Sequence, residues 1–379
     1  MSRTVDILRE LVAFDTVSAK SNLAIIDWIE SHLTALGFRV TRIMDPDEPK
    51  AGLYAEIGPN GDGVILSAHT DVVPVDGQNW TRPPFELTEE DGRLYGRGTT
   101  DMKGFLASVL AFSEVAASSD LKAPIKLVIS YDEEIGCVGM ARMIETLRPL
   151  IGTPRICIVG EPTSLDVAIG HKGKKSYRSI CRGTSGHSAL APKFVNAIYV
   201  ATDLIAGLRS LQAKFAGAGA GVVDDDYAVP YSTVHVGKLM GGTALNIVPD
   251  VAELLFEIRY LAADRIDDFE AEVAALAAQV EQDHCGAVIE IDSLTSYPGL
   301  DVKPDADCVK FVQRISGKNG ITKVAYGTEA GFFDAIGIPT VVCGPGSMEG
   351  QGHKADEYIL KSELEACDAM LMRLLDDLI

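Results

Sequence analysis

Two hydrophobic periods alternate along the first part of the chain. "TVDILRELVAF" and "NLAIIDWIESHLTALG" repeat apolar residues at intervals of three and four, the spacing of one helical face. Gly37 stands where the second of these helices is expected to end in a left-handed cap. "LYAEIG" and "GVILSA" read as strands, and "DMKGFLASVLAFSEVAAS" as a strong helix with Asp101 near its start. "IKLVISY", "RICIVGE" and, much later, "PTVVCGPG" are short continuous apolar runs. That is the pattern of strands covered on both faces in a parallel sheet. Helix and strand patterns in alternation predict an α/β open sheet.

The middle of the chain reads differently. "KKSYRSICRG" predicts a strand, "KFVNAIYVATDLIAGLRSLQ" a helix, and "STVHVGKL" and "ELLFEIRYL" two further strands. "RIDDFEAEVAALAAQVEQDHCG" predicts a second helix and "AVIEID" a last strand. The order β-α-β-β-α-β is that of a ferredoxin-like α+β unit. Residues 1–172 and 289–379 are therefore expected to form one domain, with residues 173–288 inserted as a second. A length of 379 residues suits two domains. Residues 214–230, small and then acidic, predict a surface loop within the insert.

Four of the apolar strands run into polar clusters. "GVILSA" leads to His69-Thr70-Asp71, "IKLVISY" to Asp132-Glu133-Glu134, "RICIVG" to Glu161, and "PTVVCG" to a glycine-rich loop carrying His353. Ligands of open α/β sheets bind beyond the carboxyl ends of the strands, so these residues are expected to converge. Imidazoles and carboxylates together suit zinc, cobalt or manganese. In His69-x-Asp71 on extended backbone the two side chains share a face, and Asp71 can fix the tautomer of the ring. Extended backbone would send Glu133 and Glu134 to opposite sides, leaving one free as a base. Taken singly, each residue has an ordinary explanation: a structural histidine, a solvated turn, a turn before Pro162. Their joint placement after matching strands is what points to a site. His32 and His284 fit helix patterns, His235 fits strand packing, Cys137 fits packing beside the acidic run, and His171 stays open.

Composition narrows the classes of partner. The net charge of −20 opposes binding to nucleic acid or to an anionic membrane. Seven scattered cysteines with no C-x-x-C argue against a disulfide framework and for a reducing, cytoplasmic setting. "GRGTTDMKG" lacks the G-x-x-x-x-G-K-[ST] spacing of a phosphate loop.

The wording and order of "HTDVVP…W…PF…DGRLYGRGTTDMKG", "DEE.G", "GEPT", "GTSGHSA", "NIVPD…EIR" and "GPG…GHKADE" resemble the dinuclear zinc aminoacylase and carboxypeptidase-like metallopeptidases, from about residue 5 to the C-terminus. The resemblance implies a mixed-sheet, zinc-exopeptidase-like catalytic domain with an inserted ferredoxin-like dimerisation domain. It implies two divalent metal ions, zinc with cobalt as a substitute. By the same resemblance, His69 and Glu161 hold one ion, Glu134 and His353 the other, and Asp101 bridges them. Asp71 orients His69, and Glu133 is the general base. His187 enters the site of the partner subunit in a homodimer. Asn246 and Arg259 face the substrate, and Glu329 in "YGTEAGFF" is placed to read a distal ammonium; the alternative for Glu329 is a helix cap. The activity implied is hydrolysis of a small N-acyl amino acid, N-acetyl-L-ornithine in particular, with desuccinylase, broader deacylase or dipeptidase chemistry as alternatives.

Overall fold

The computed structural model describes residues 2–217 and 222–379. The chain divides into two compact units. The first comprises the residues up to Gly170, Leu300–Val324 and Thr328–Ile379; the second comprises His171–Gly299 and Ala325–Gly327.

The first unit is built on a mixed sheet. Its order is Arg39–Met44, Ala51–Ile57, Ile125–Ser130, Val64–His69, Ile156–Pro162, Thr340–Gly344, Val167–His171 and Leu300–Asp301, with Ile321–Val324 also paired to Val167–His171. Ile125–Ser130, Val64–His69, Ile156–Pro162 and Thr340–Gly344 run parallel as immediate neighbours. Their continuous apolar runs follow from burial on both faces. Val64 and Leu66 join the core beneath Arg3–Ala13, Lys103–Ala116 and Lys361–Asp376. Ile65 points the other way, into the core shared with Val138–Ile151 and Ala330–Ala335. The helix Leu23–Ala35 ends as expected, with Gly37 at φ 87° donating to the carbonyl of Thr34.

The second unit has a four-stranded antiparallel sheet in the order Thr233–Gly241, Val251–Tyr260, Gly173–Arg182 and Val288–Tyr297. The helices Ala197–Ala216 and Ile266–Asp283 supply apolar side chains to its core. Strand and helix order is ferredoxin-like. The expected boundary at 288 cuts a strand. Val288–Tyr297 pairs with Gly173–Arg182 through Tyr297, across a register shift between Ser293 and Ser296. The apolar alternation fades after Ile291 while the backbone ladder continues, so the unit extends to Gly299. His235, expected to pack within its strand, is exposed. In the expected loop at 214–230 the helix persists to Ala216, and residues 218–221 lie outside the described residues.

Candidate metal centre

The parallel strands end together, and the polar clusters after them meet. Register places His69 opposite Ser130, one strand over. The chain beyond Ser130 turns at Asp132, which has a left-handed φ of 55°, before the helix Val138–Ile151. That turn replaces the extended geometry assumed for Glu133 and Glu134. Both reach the cluster, Glu133 with His69 and Glu161, Glu134 with His69 and Asp101.

Asp101 lies at the centre. Its peptide bond to Met102 is cis, immediately before the helix Lys103–Ala116. Oδ1 lies 3.3 Å from His69 Nε2, and Oδ2 lies 3.4 Å from His353 Nε2. On one side Glu161 Oε1 is 3.6 Å from His69 Nε2. On the other, Glu134 Oε2 is 3.1 Å from His353 Nε2. One carboxylate thus divides its oxygens between two imidazole–carboxylate pairs.

The tautomer of His69 is set locally. Its Nδ1 lies 3.0 Å from the backbone carbonyl of Asp71 and 3.5 Å from the Asp71 carboxylate. The carbonyl is therefore the closer acceptor for an Nδ1 proton. Burial works against a charged ring, but the bonds to Asp101 and Asp71 raise the imidazole well above its usual range. Without a cation Nε2 therefore donates to Asp101, and its lone pair is available only to a bound cation. The Asp71 carboxylate does something the sequence reading did not anticipate. It accepts from Ser18 Oγ at 2.7 Å and from the backbone N–H groups of Glu133 and Glu134 at 3.0 and 3.2 Å. It pins the acidic turn to the histidine strand.

These groups are crowded and, His353 apart, their side chains are buried. Burial, then the nearby Asp101, raises the Glu134 carboxyl to about 7, although the His353 hydrogen bond opposes this. Glu133 and Glu161 are raised well above the usual range, again by burial first. Burial opposes ionisation of Asp101 too, but its bonds to His353 and His69 hold it below the usual range. His353 is raised to about 10 by its bonds to Asp101 and Glu134. Buried carboxylates in contact need positive charge. Glu161 Oε1 is buried with no hydrogen-bond partner. A buried oxygen left bare beside an imidazole, in a set of nitrogen and oxygen donors, fits a divalent cation.

The Glu133 side chain accepts a hydrogen bond from the thiol of Cys137 to Oε1 at 3.3 Å. Cys137, read from sequence as a packing residue with a soft metal ligand as the alternative, donates to the carboxylate expected to act as base. Glu329 is fully buried, and its Oε1 has no hydrogen-bond partner. Burial raises its carboxyl to about 7, against a bond to Ser130. Glu329 occupies the N-cap position of Ala330–Ala335 as the alternative expects, but its side chain makes no capping hydrogen bond; Thr328 Oγ1 accepts from the N–H of Ala330 at 3.1 Å.

His187, Asn246 and Arg259 belong to the second unit. His187 is exposed; its short strand pairs with Ile247–Val248, and Ser188 N–H donates to the Asn246 carbonyl. Arg259 donates to Glu257 at 3.0 Å and to the Tyr297 hydroxyl at 2.9 Å.

Residues 65–377 match the model of peptidase family M20/M25/M40. The chain belongs to that family. The family match covers the whole acidic cluster and the second unit. An acetylornithine deacetylase of Klebsiella pneumoniae (strain 342) is 34% identical over 94% of this chain and 92% of its own. One from Myxococcus xanthus is 33% identical over 98% of each chain. The crystal structure of an M20 family metallo-carboxypeptidase from Sulfolobus solfataricus has a TM-score of 0.81, with 20% identity over 99% of both chains, a likeness of fold. The chain is therefore a metal-dependent amidohydrolase of family M20. Among the described residues no helix is long and apolar enough to cross a membrane.

Proposed function

We propose that this enzyme hydrolyses N-acetyl-L-ornithine to L-ornithine and acetate in the cytoplasm, with two divalent ions, zinc in the first place and cobalt as a substitute. The observation that carries the two-ion reading is Asp101, whose two oxygens face His69 and His353 separately. His69 and Glu161 would hold one ion, Glu134 and His353 the other, and Asp101 both. The acyl specificity draws on the full-length similarity to acetylornithine deacetylases.

When bound, the ions supply Lewis acidity to the amide carbonyl and acidify water. The rest falls to side chains of this chain. Glu133, held by the Cys137 thiol and by the Asp71 bond to its backbone N–H, takes the proton of the attacking water. It then delivers that proton to the leaving amine. Its burial supports this role, because a carboxyl raised above the usual range gives up a proton less readily before the amine departs. In this reading the second unit dimerises and His187 of one subunit steadies the developing oxyanion in the other. Asn246 faces the substrate, Arg259 receives its carboxylate, and Glu329 reads the distal ammonium.

The test is release of ornithine from N-acetylornithine by purified protein before and after chelation, with zinc or cobalt added back. The Glu133→Ala variant is expected to keep its metal and lose at least about 100-fold in turnover, the usual contribution of a positioned acid–base group. Near wild-type turnover at full loading would refute the assignment of the base.

A further inference from the structure

The two halves of the acidic cluster are anchored by different means. The His353 loop has no strand beneath it; the strand Thr340–Gly344 ends well before it. His353 sits at φ 59° and Asp356 at φ 56°, a left-handed conformation uncommon for residues other than glycine. Such residues persist where surrounding contacts over-determine them. Here the contacts come from residues 74–81, more than 250 positions away in the chain.

Gln78 is the joint. Its Nε2 donates to the carbonyl of His353 at 2.8 Å. Its Oε1 accepts from Arg97 Nη2 at 2.5 Å and from Trp80 Nε1 at 3.0 Å. With two donors on its oxygen, the carboxamide has one orientation, the one that presents NH₂ to His353. Arg97 is itself held on several sides. It is buried, stacks on the Trp80 ring at 5.0 Å, donates to the Lys354 carbonyl at 3.2 Å and pairs with Glu357 at 2.8 Å. The same Glu357 carboxylate accepts from the N–H groups of Gly98, Thr100 and Asp101 at 3.0, 2.8 and 3.2 Å. The support of His353 and the support of Asp101 are thus one continuous network. Thr81 adds a second clasp, donating from N–H and hydroxyl to Asp356 at 2.9 and 2.7 Å.

We propose that Gln78 is a positioning residue for the more exposed metal position: its carboxamide, fixed by Arg97 and Trp80, holds the His353 carbonyl and so sets the His353 imidazole against Asp101 and Glu134. The inference rests on the reading of Asp101, Glu134 and His353 as metal ligands. His69 meets this network through Asp101, whose N–H donates to Glu357. Loss of Gln78 removes the bond to His353 directly, whereas Asp101 keeps its own bond to Glu357, so the effect falls first on the His353 position.

The experiment is a zinc titration of the metal-depleted full chain against a chromophoric chelator. It compares wild type with Gln78→Met, which keeps side-chain length without donor or carbonyl oxygen, and with Gln78→Glu. The glutamate keeps the acceptor for Arg97 and Trp80 but cannot donate to His353, so it isolates the bond that matters. Both variants are expected to bind the first zinc equivalent as wild type does and the second roughly tenfold more weakly or worse, the scale for groups that orient a ligand. Thermal melting of the metal-free variants should match wild type. Two equivalents bound with wild-type affinity in both variants would overturn the role of Gln78. Equal weakening of both equivalents, or a lowered melting temperature in the metal-free state, would overturn it in favour of general support of the fold. Failure of the wild type itself to bind two equivalents would instead overturn the ligand reading on which it rests.

Discussion

The two histidines of the cluster resemble each other in chemistry and differ in how they are held. His69 closes a central strand flanked by parallel neighbours, its side chain is 1% exposed, and register sets it opposite Ser130. His353 rides a loop with its side chain 49% exposed, and its placement depends on polar contacts from a distant segment. A ligand built into the sheet cannot move without moving the core. A ligand on a clasped loop can. The His69 position should therefore bind metal first and most tightly, and the His353 position should be the adjustable one.

The largest effect should follow from His69→Ala. It removes the imidazole from a fully buried group of carboxylates and leaves Asp101 and Glu161 without that compensation. We expect the metal-free protein to lose about 3–5 kcal/mol, the usual result of breaking a buried pair, together with all detectable turnover. Urea unfolding measures the first; a loss below about 1 kcal/mol, the scale of an exposed ion pair, would erase the contrast between the halves. His353→Ala should behave differently. Its stability in the metal-free state should fall by less than about 1 kcal/mol, since a half-exposed pair contributes little. Its second zinc equivalent should weaken by at least about 10- to 100-fold, the range already reached by groups that only orient a ligand. Calorimetric titration with zinc reads both equivalents; uniform loss would mean the halves are not independent.

The smallest effect sharpens the comparison on the buried side. Glu329 is in electrostatic reach of His69 and Glu133. If it reads a distal ammonium, Glu329→Gln should cost about 1–3 kcal/mol in kcat/KM for N-acetylornithine, the range for a hydrogen bond to a charged group. N-Acetylmethionine, which has no distal charge, should be hydrolysed almost unchanged. Equal losses on both substrates would make Glu329 a structural carboxyl.

The residues that the sequence made legible are those carried by a strand. His69 and Glu161 follow unbroken apolar runs, and a run of that kind fixes both the element and the end at which a polar residue emerges. The ferredoxin-like order of the second unit was readable for the same reason, from alternation and helical period. Legibility failed where local pattern stopped governing the backbone. Glu133 and Glu134 were assigned opposite faces on the assumption of extended chain, and the left-handed turn at Asp132 brings both to the cluster. The strand Val288–Tyr297 outlasts its apolar alternation because backbone pairing needs no particular side chain. Gln78, Arg97 and Glu357 show no periodicity at all, and nothing short of folding brings residues separated by more than 250 positions into hydrogen-bond range. Hydrophobic burial is read one residue at a time along the chain, so sequence alone determined the strands and the side chains at their ends. Polar contacts are directional and act over about 3 Å, so only the tertiary structure decided which loops would hold those side chains in place.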